Sequence, residues 1–234
     1  ADRVISLGKN MTQKILEKGV LINKIITIPN WATGNLSLKK GSHNKYEKKW
    51  GIRKGIKILY SGNLGIAHEF ETVFKSIKLS KLLPKDLQII IIGFGSRLNE
   101  VIELSKSLPK KESTLIKSYV HADDMPHTMG LASLGLVTLR KNYSGLVYPS
   151  KFAGYLARGI AILYIGPESE ISELINKYEI GFCFRNEDSD ELSVLLNKLQ
   201  KNKKILEIYG KNAKNYYDTY LSKNIGLEKY RKLF

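Results

Sequence analysis

The chain has 234 residues, 43% of them hydrophobic, and carries 38 Lys and Arg against 22 Asp and Glu, a formal net charge of +16. A chain of this size and apolar content buries a real core, which excludes intrinsic disorder. Its charge favours anionic partners: nucleic acid, an acidic membrane surface or phosphorylated small molecules.

One cysteine, Cys183, excludes a disulfide framework and fits a reducing, cytoplasmic setting. No apolar run approaches the ~20 residues that cross a bilayer, and the longest, residues 87–93, suits a buried strand. The opening Ala1-Asp2-Arg3-Val4-Ile5-Ser6-Leu7 reads like the interior of a fold. The sequence is therefore expected to be a piece of a longer protein.

In chain order, a strand over 4–7, a helix over 10–18 ended by Gly19, and a strand over 24–28 closed by Pro29-Asn30 form one β-α-β unit, too small to hold a core alone. From 33 to 57 the composition turns to Gly, Ser, Asn and Lys. Here Lys39, Lys40, Lys45, Lys48, Lys49, Arg53, Lys54 and Lys57 stand against a single Glu47. This reads as a linker whose charge is either a solvated face or a surface for phosphate or membrane.

Strand and helix signals then alternate. Strands are expected over 56–60, 87–92, 114–120, 136–139, 161–165 and, at an edge, 181–184. Helices are expected over 69–79, 98–107, 125–132, 150–158, 171–178 and 191–200. Helical crossovers of this length imply a parallel sheet covered on both faces, an α/β doubly wound class. The tail over 203–234 reads as helical, and Tyr209, Tyr216, Tyr217, Tyr220 and Tyr230 follow helical spacing, so packing is expected of them. The division is 1–32, a basic linker 33–54, a main domain 55–202 and a tail 203–234.

Sheets of this class bind ligands outside the carboxyl ends of their strands, so the strand-to-helix loops are where a site is expected. Ser61-Gly62-Asn63-Leu64-Gly65 permits a tight turn and close approach of a ligand to the backbone. Gly93-Phe94-Gly95 begins like a dinucleotide fingerprint but has Leu98 where the third glycine belongs, which excludes a nicotinamide site. Tyr148-Pro149-Ser150-Lys151 opens the helix that stops at Gly159. There Lys151 sits in a first turn that would prefer an acid. It reads either as a solvated lysine or as a cation waiting for an external anion.

The pairs Asp188-Ser189-Asp190 and Asp123-Asp124 are expected to start helices, and His68, His121 and His127 lack ligand spacing. No metal is indicated.

The order of these pieces, over nearly the whole chain, resembles the C-terminal, donor-binding half of a family 4 glycosyltransferase of the GT-B fold. Residues 2–31 are similar to the last β-α-β unit of that family's N-terminal acceptor domain, ending in Ile28-Pro29-Asn30. Tyr60-Ser61-Gly62-Asn63-Leu64-Gly65 resembles the glycine loop that faces the donor. Gly93-Phe94-Gly95 follows, then Tyr119-Val120, where the nucleotide base is usually held by backbone. Ala132-Ser133-Leu134-Gly135-Leu136-Val137 precedes Pro149-Ser150-Lys151 and Tyr155-Leu156-Ala157-Arg158-Gly159, and the tail resembles the helix that crosses back to the other domain.

The resemblance implies a Rossmann-like GT-B C-terminal domain carrying a remnant of the N-terminal one. It implies a retaining, metal-independent transfer of a sugar from a nucleoside diphosphate sugar, UDP-linked, to a saccharide or lipid-linked acceptor in surface polysaccharide synthesis. The donor is then the sole small molecule required, with no separate cofactor. Donor contacts are expected at Gly62, Asn63, Leu64, Gly65, Gly93, Gly95, Tyr119, Val120, Tyr148, Pro149 and Ser150.

The chain also departs from the family. Two glutamates that many members carry fall here on Leu146 and Gly154, and the Arg and Lys that often follow the glycine loop give way to Asn63 and Ala67-His68-Glu69. Lys151, helped by Arg140 and the helix N-terminus, is expected to take the diphosphate charge. Glu170 or Glu173 is expected to reach the sugar or ribose, although acids over 168–173 also suit a helix start.

The expected partners are the nucleotide sugar, the absent N-terminal acceptor domain and the inner face of a membrane, not nucleic acid. Two rivals remain from the sequence. A sugar epimerase of the same fold would need an acid and a base. A basic nucleic-acid module would explain the charge directly.

Overall fold

The computed structural model describes residues 1–34 and 44–233, so residues 35–43 of the expected linker lie outside the description. At the start, β1 (Val4–Ser6) runs into α1 (Lys9–Leu16) and returns as β2 (Ile25–Thr27), and the two strands pair in parallel. Within the stretch read as linker, α2 (Lys45–Lys49) forms under an Asn44 cap whose side chain accepts from Tyr46 N–H. Tyr46 and Trp50, one turn apart, stack at 4.2 Å, and Tyr46 donates to Asp124 at 2.7 Å. The lysines hide this apolar pair in the sequence, and the segment is docked.

The main sheet contains β3 (Ile56–Ser61), β4 (Leu87–Ile92), β5 (Thr114–Lys117), β6 (Leu134–Thr138), β7 (Ala161–Ile165) and β8 (Gly181–Phe184). All pair in parallel, in the order β5-β4-β3-β6-β7-β8. The run Gln88-Ile89-Ile90-Ile91-Ile92 is buried throughout because helices cover both faces. On one face α3 (Glu71–Ser80) and α8 (Ser189–Lys201) pack Phe70, Val73, Phe74, Leu192 and Leu196. On the other, α6 (Lys151–Ala157) and α9 (Lys204–Tyr216) pack Phe152, Tyr155, Leu156, Ala213 and Tyr216. The remaining helices are α4 (Leu98–Lys106), α5 (Met125–Met129), α7 (Glu170–Lys177) and α10 (Lys223–Arg231), the last reached through a wider turn at Tyr217–Leu221.

Several boundaries differ from those expected. The strand begun at Thr114 ends at Lys117, and the helix from Met125 ends at Met129. Asp188 does precede α8, but its carboxylate turns back to accept from Arg185 N–H at 2.8 Å instead of capping the helix. Ser150 likewise makes no side-chain cap on α6. Tail tyrosines do pack: Tyr209 meets Phe182 at 5.1 Å, and Tyr178, Tyr216 and Tyr220 cluster. Tyr230 meets Trp31 edge-on at 6.1 Å, which returns the tail to the β-α-β unit.

The sheet changes direction between β3 and β6, and there the ladder is short: only Ile58 and Leu59 pair with Leu134 and Gly135. Beyond that rung the Tyr155 hydroxyl takes over from β6. It donates to Leu59 O at 2.9 Å and accepts from Ser61 N–H at 3.1 Å. One phenol thus satisfies the two backbone groups that β6 leaves, and the strands splay into a crevice. Tyr155→Phe keeps the ring but strands both groups. Its expected cost is roughly 1–3 kcal/mol, read as a lower urea midpoint with an unchanged slope.

Candidate functional site

The crevice opens into a cleft of about 620 Å³ between the main sheet and the end of the β-α-β unit. Gly62 and Asn63 line it from the loop after β3, and Tyr148, Pro149, Ser150 and Lys151 from the approach to α6. Asn30, Trp31, Ala32 and Thr33 close the opposite side, while Met125 and Met129 of α5 supply an apolar floor. Six of the expected residues are therefore brought together.

Others form the wall behind them. Leu64 is fully buried and its N–H donates to Phe94 O at 2.9 Å, while Gly62 N–H donates to Ile92 O at 2.8 Å. The loops after β3 and β4 thus continue the sheet's ladder past its ends. This close approach is what demands glycine: a Cβ at Gly93, whose φ is +154°, would run into Gly62 O. Gly95 abuts Leu64 O in the same way, and Gly65 lies against the Asn63 side chain. These four residues shape the loop without lining the cleft.

Four expected contacts sit elsewhere. Tyr119 is 56% exposed beyond the end of β5, and Val120 packs against the core; neither lines the cleft. Arg140 lines a separate surface pocket with Glu69, Lys141, Glu168 and Arg185, because its backbone N–H is tied to Ala67 O at 2.8 Å on the far side of the loop. Glu170 has a different task from the one expected. Its carboxylate accepts from Lys9 N–H at the start of α1, while its own N–H donates to Asn10 Oδ1 at 2.9 Å. Each of α1 and α7 thus caps the other, and this carboxylate is spent on joining the halves. Glu173 pairs with Lys9 at 3.6 Å on the surface.

The cleft's electrostatics centre on Lys151, the one cationic side chain among the described residues that line it. Its Nζ lies 4.5 Å from the centre of the Tyr60 ring and 3.4 Å from His68 Nε2. No carboxylate among the described residues pairs with it. Burial lowers its pKa to about 8. Tyr60 in turn donates to Asn63 O at 2.5 Å, which ties the cation's support to the glycine loop.

His68 was passed over in the sequence because a lone histidine before a helix carries no spacing signal. Its Nδ1 lies 2.9 Å from Thr138 O, and a carbonyl only accepts, so Nδ1 bears the hydrogen and Nε2 accepts from the ammonium. Burial, then the Lys151 charge, hold its pKa down to about 4, so the ring is neutral at ordinary pH.

The short α6 adds little beyond this: it has seven residues, and Phe152 N–H is already bonded to Pro149 O at 3.1 Å. Among the described residues no three His, Cys, Asp or Glu side chains gather in a metal-binding group, and no helix is long and apolar enough to cross a membrane.

Residues 42–216, three quarters of the chain, match the sequence model of a family described as Glycosyl transferases group 1. The chain belongs to that family. It is 24% identical over 200 residues to the putative colanic acid biosynthesis glycosyl transferase WcaI of Escherichia coli K12, covering 82% of this chain and 47% of the relative. It is 24% identical over 242 residues to an uncharacterized glycosyltransferase of Methanocaldococcus jannaschii, covering 100% and 58%. The chain thus spans about half the length of these two curated relatives.

Among solved structures, HepE of Anabaena in complex with UDP-glucose superposes with a TM-score of 0.83 at 15% identity, over 100% of this chain and 64% of that one. At that identity the likeness speaks for the fold, which is the α/β fold of the GT-B glycosyltransferases.

In this group 1 glycosyltransferase chain, an ammonium buried without a counter-charge costs stability. Replacing it by an apolar side chain of similar length, Lys151→Met, is expected to stabilise the chain at pH 7 by about 1–2 kcal/mol, the relief of burial less the lost bond to His68. Between about pH 8 and the ordinary lysine pKa of about 10.4 the folded lysine binds fewer protons than the unfolded one. Wild-type stability therefore rises across that window and the advantage of Met shrinks. Urea unfolding at fixed pH values checks this, and a destabilised Met variant at pH 7 would reveal a charge partner for Lys151.

Proposed function

We propose that this chain is the donor-binding half of a retaining, metal-independent glycosyltransferase that moves a sugar from a UDP-linked donor to a saccharide or lipid-linked acceptor in surface polysaccharide synthesis. The observation that carries the reading is the largely buried, carboxylate-free Lys151 ammonium in a cleft at the carboxyl ends of the strands. That is where a doubly wound sheet receives nucleotides. An anion there would restore the charge balance that burial removes.

In sugar transfer, negative charge develops on the departing diphosphate, and a prepositioned cation stabilises it more in the transition state than in the ground state. Lys151 supplies that cation, and Gly62 and Asn63 let the phosphates approach the backbone. Support from relatives is of the same kind: HepE binds UDP and UDP-glucose, and WcaI is named for colanic acid biosynthesis. The acceptor half belongs to the rest of the protein, so this half binds donor without transferring it.

An epimerase would need an acid and a base in the cleft. No carboxylate is among the described residues that line it, and both His68 ring nitrogens are already engaged.

Calorimetry with UDP tests the reading. Wild type is expected to bind, and Lys151→Ala to weaken binding roughly tenfold or more, the worth of one bond to a charged group. Wild-type affinity should hold up to about pH 8 and fall above it as the ammonium deprotonates. Equal affinity of the wild-type and Ala chains would count against the proposal.

A further inference from the structure

We infer that His68 is a positioning residue for Lys151: a neutral imidazole that takes one ammonium hydrogen and leaves a single direction open to the ligand. A lysine ammonium has three hydrogens and, in an open cleft, a flexible stem that swings them. Here three fixed surfaces surround it. His68 Nε2 stands at 3.4 Å, the Tyr60 face at 4.5 Å, and bare Gly62 lies so close that a Cβ there would sit 3.0 Å from Lys151 Cε. The direction that remains is the cleft itself.

The imidazole is itself held. Thr138 O, at the end of β6, fixes its tautomer and leaves the lone pair of Nε2 for the ammonium. Tyr60 of β3 and Phe70 before α3 press on the ring at 5.6 and 6.4 Å, and it is buried. The charged groups acting on it are Lys151 from α6 and Arg97 from the start of α4, both of which disfavour its protonation. The ring is therefore an acceptor from about pH 4 upward, which includes the range up to about pH 8 in which the lysine keeps its charge. A strand end, a loop and a helix meet through one histidine, and their common output is the orientation of one cation. The sequence offers no second cation in the loop to do this by charge, since Asn63 and His68 stand there.

The inference rests on the nucleotide reading only for its binding arm. The test uses the ligand-free chain first: the Lys151 ammonium titration is followed by NMR in wild type, His68→Leu and His68→Gln. The leucine removes the acceptor and should move the titration below its wild-type value near pH 8. The glutamine, whose carboxamide oxygen can accept, should restore most of it. UDP affinity should fall roughly tenfold in His68→Leu, the worth of a bond to a charged group, and recover in His68→Gln. In a Lys151→Ala background neither His68 substitution should change affinity further, because a residue that acts through another loses its effect with it.

An unchanged lysine titration in His68→Leu, or an affinity loss that adds to that of Lys151→Ala, would overturn the assignment. If wild type binds no UDP, the nucleotide reading fails and the titration alone decides the role of His68. Thermal melts identify a variant that does not fold, and His68→Asn, whose amide is too short to reach, then replaces the leucine.

Discussion

The site depends on the point where two strands stop pairing. β3 and β6 share only two residue pairs, and a parallel ladder that continued would close the sheet where the cleft now lies. The Tyr155 hydroxyl substitutes for the missing strand, bonding Leu59 O and Ser61 N–H from inside the core. Gly135 on β6 makes room for that ring, since a Cβ there would collide with it. Because Tyr155 also belongs to α6, the bond that opens the crevice sets the height of the helix bearing Lys151. Opening and cation are placed by one side chain.

The electrostatic design follows from that placement. A lysine at the first position of a helix could face water, but α6 is set so deep that its ammonium is largely desolvated. A protein tolerates such an arrangement when the group has work to do, because each unit by which its pKa is lowered is stability forgone. The neighbours are chosen accordingly: an aromatic face, a neutral imidazole and a glycine, all of which support a cation without neutralising it. A carboxylate would have held the lysine more firmly and cancelled its attraction for a phosphate. The acids near the cleft have other partners: Glu170 accepts from Lys9 N–H, and Glu69 accepts from Thr72 N–H through Oε1, its Oε2 being buried with no partner among the described residues.

Two devices join the β-α-β unit to the main sheet, and both work across long sequence separations. At one, α1 and α7 exchange caps through Glu170 and Asn10. At the other, Trp31 receives Tyr230 of the tail, and Ala32 N–H donates to Tyr217 Oη at 3.3 Å. Trp31 and Ala32 of this second joint, with Asn30 and Thr33 beside them, form the far wall of the cleft. The far wall of the cleft is thus held by contacts to the C-terminal tail.

The sequence by itself determined the class of fold and the neighbourhood of the site. Alternating apolar runs and helix signals place Leu87–Ile92 and Ala161–Ile165 as strands, because a run buried on both faces can do little else, and Gly181–Phe184 as a partly buried edge strand. The glycine-bearing turn after β3 marked Gly62 and Asn63, and the Pro149-Ser150 helix start marked Lys151, since local backbone demands are written locally. Tertiary structure decided what each of these residues faces. Arg140 lies two residues past β6 and is turned away, whereas His68, with no local signal, meets Lys151 across 83 positions. Glu170 satisfied the local preference for an acid at a helix start and still went to cap a different helix. Propensity and pattern act over a few residues. Direction across a crevice is fixed only when strands from distant parts of the chain are in register.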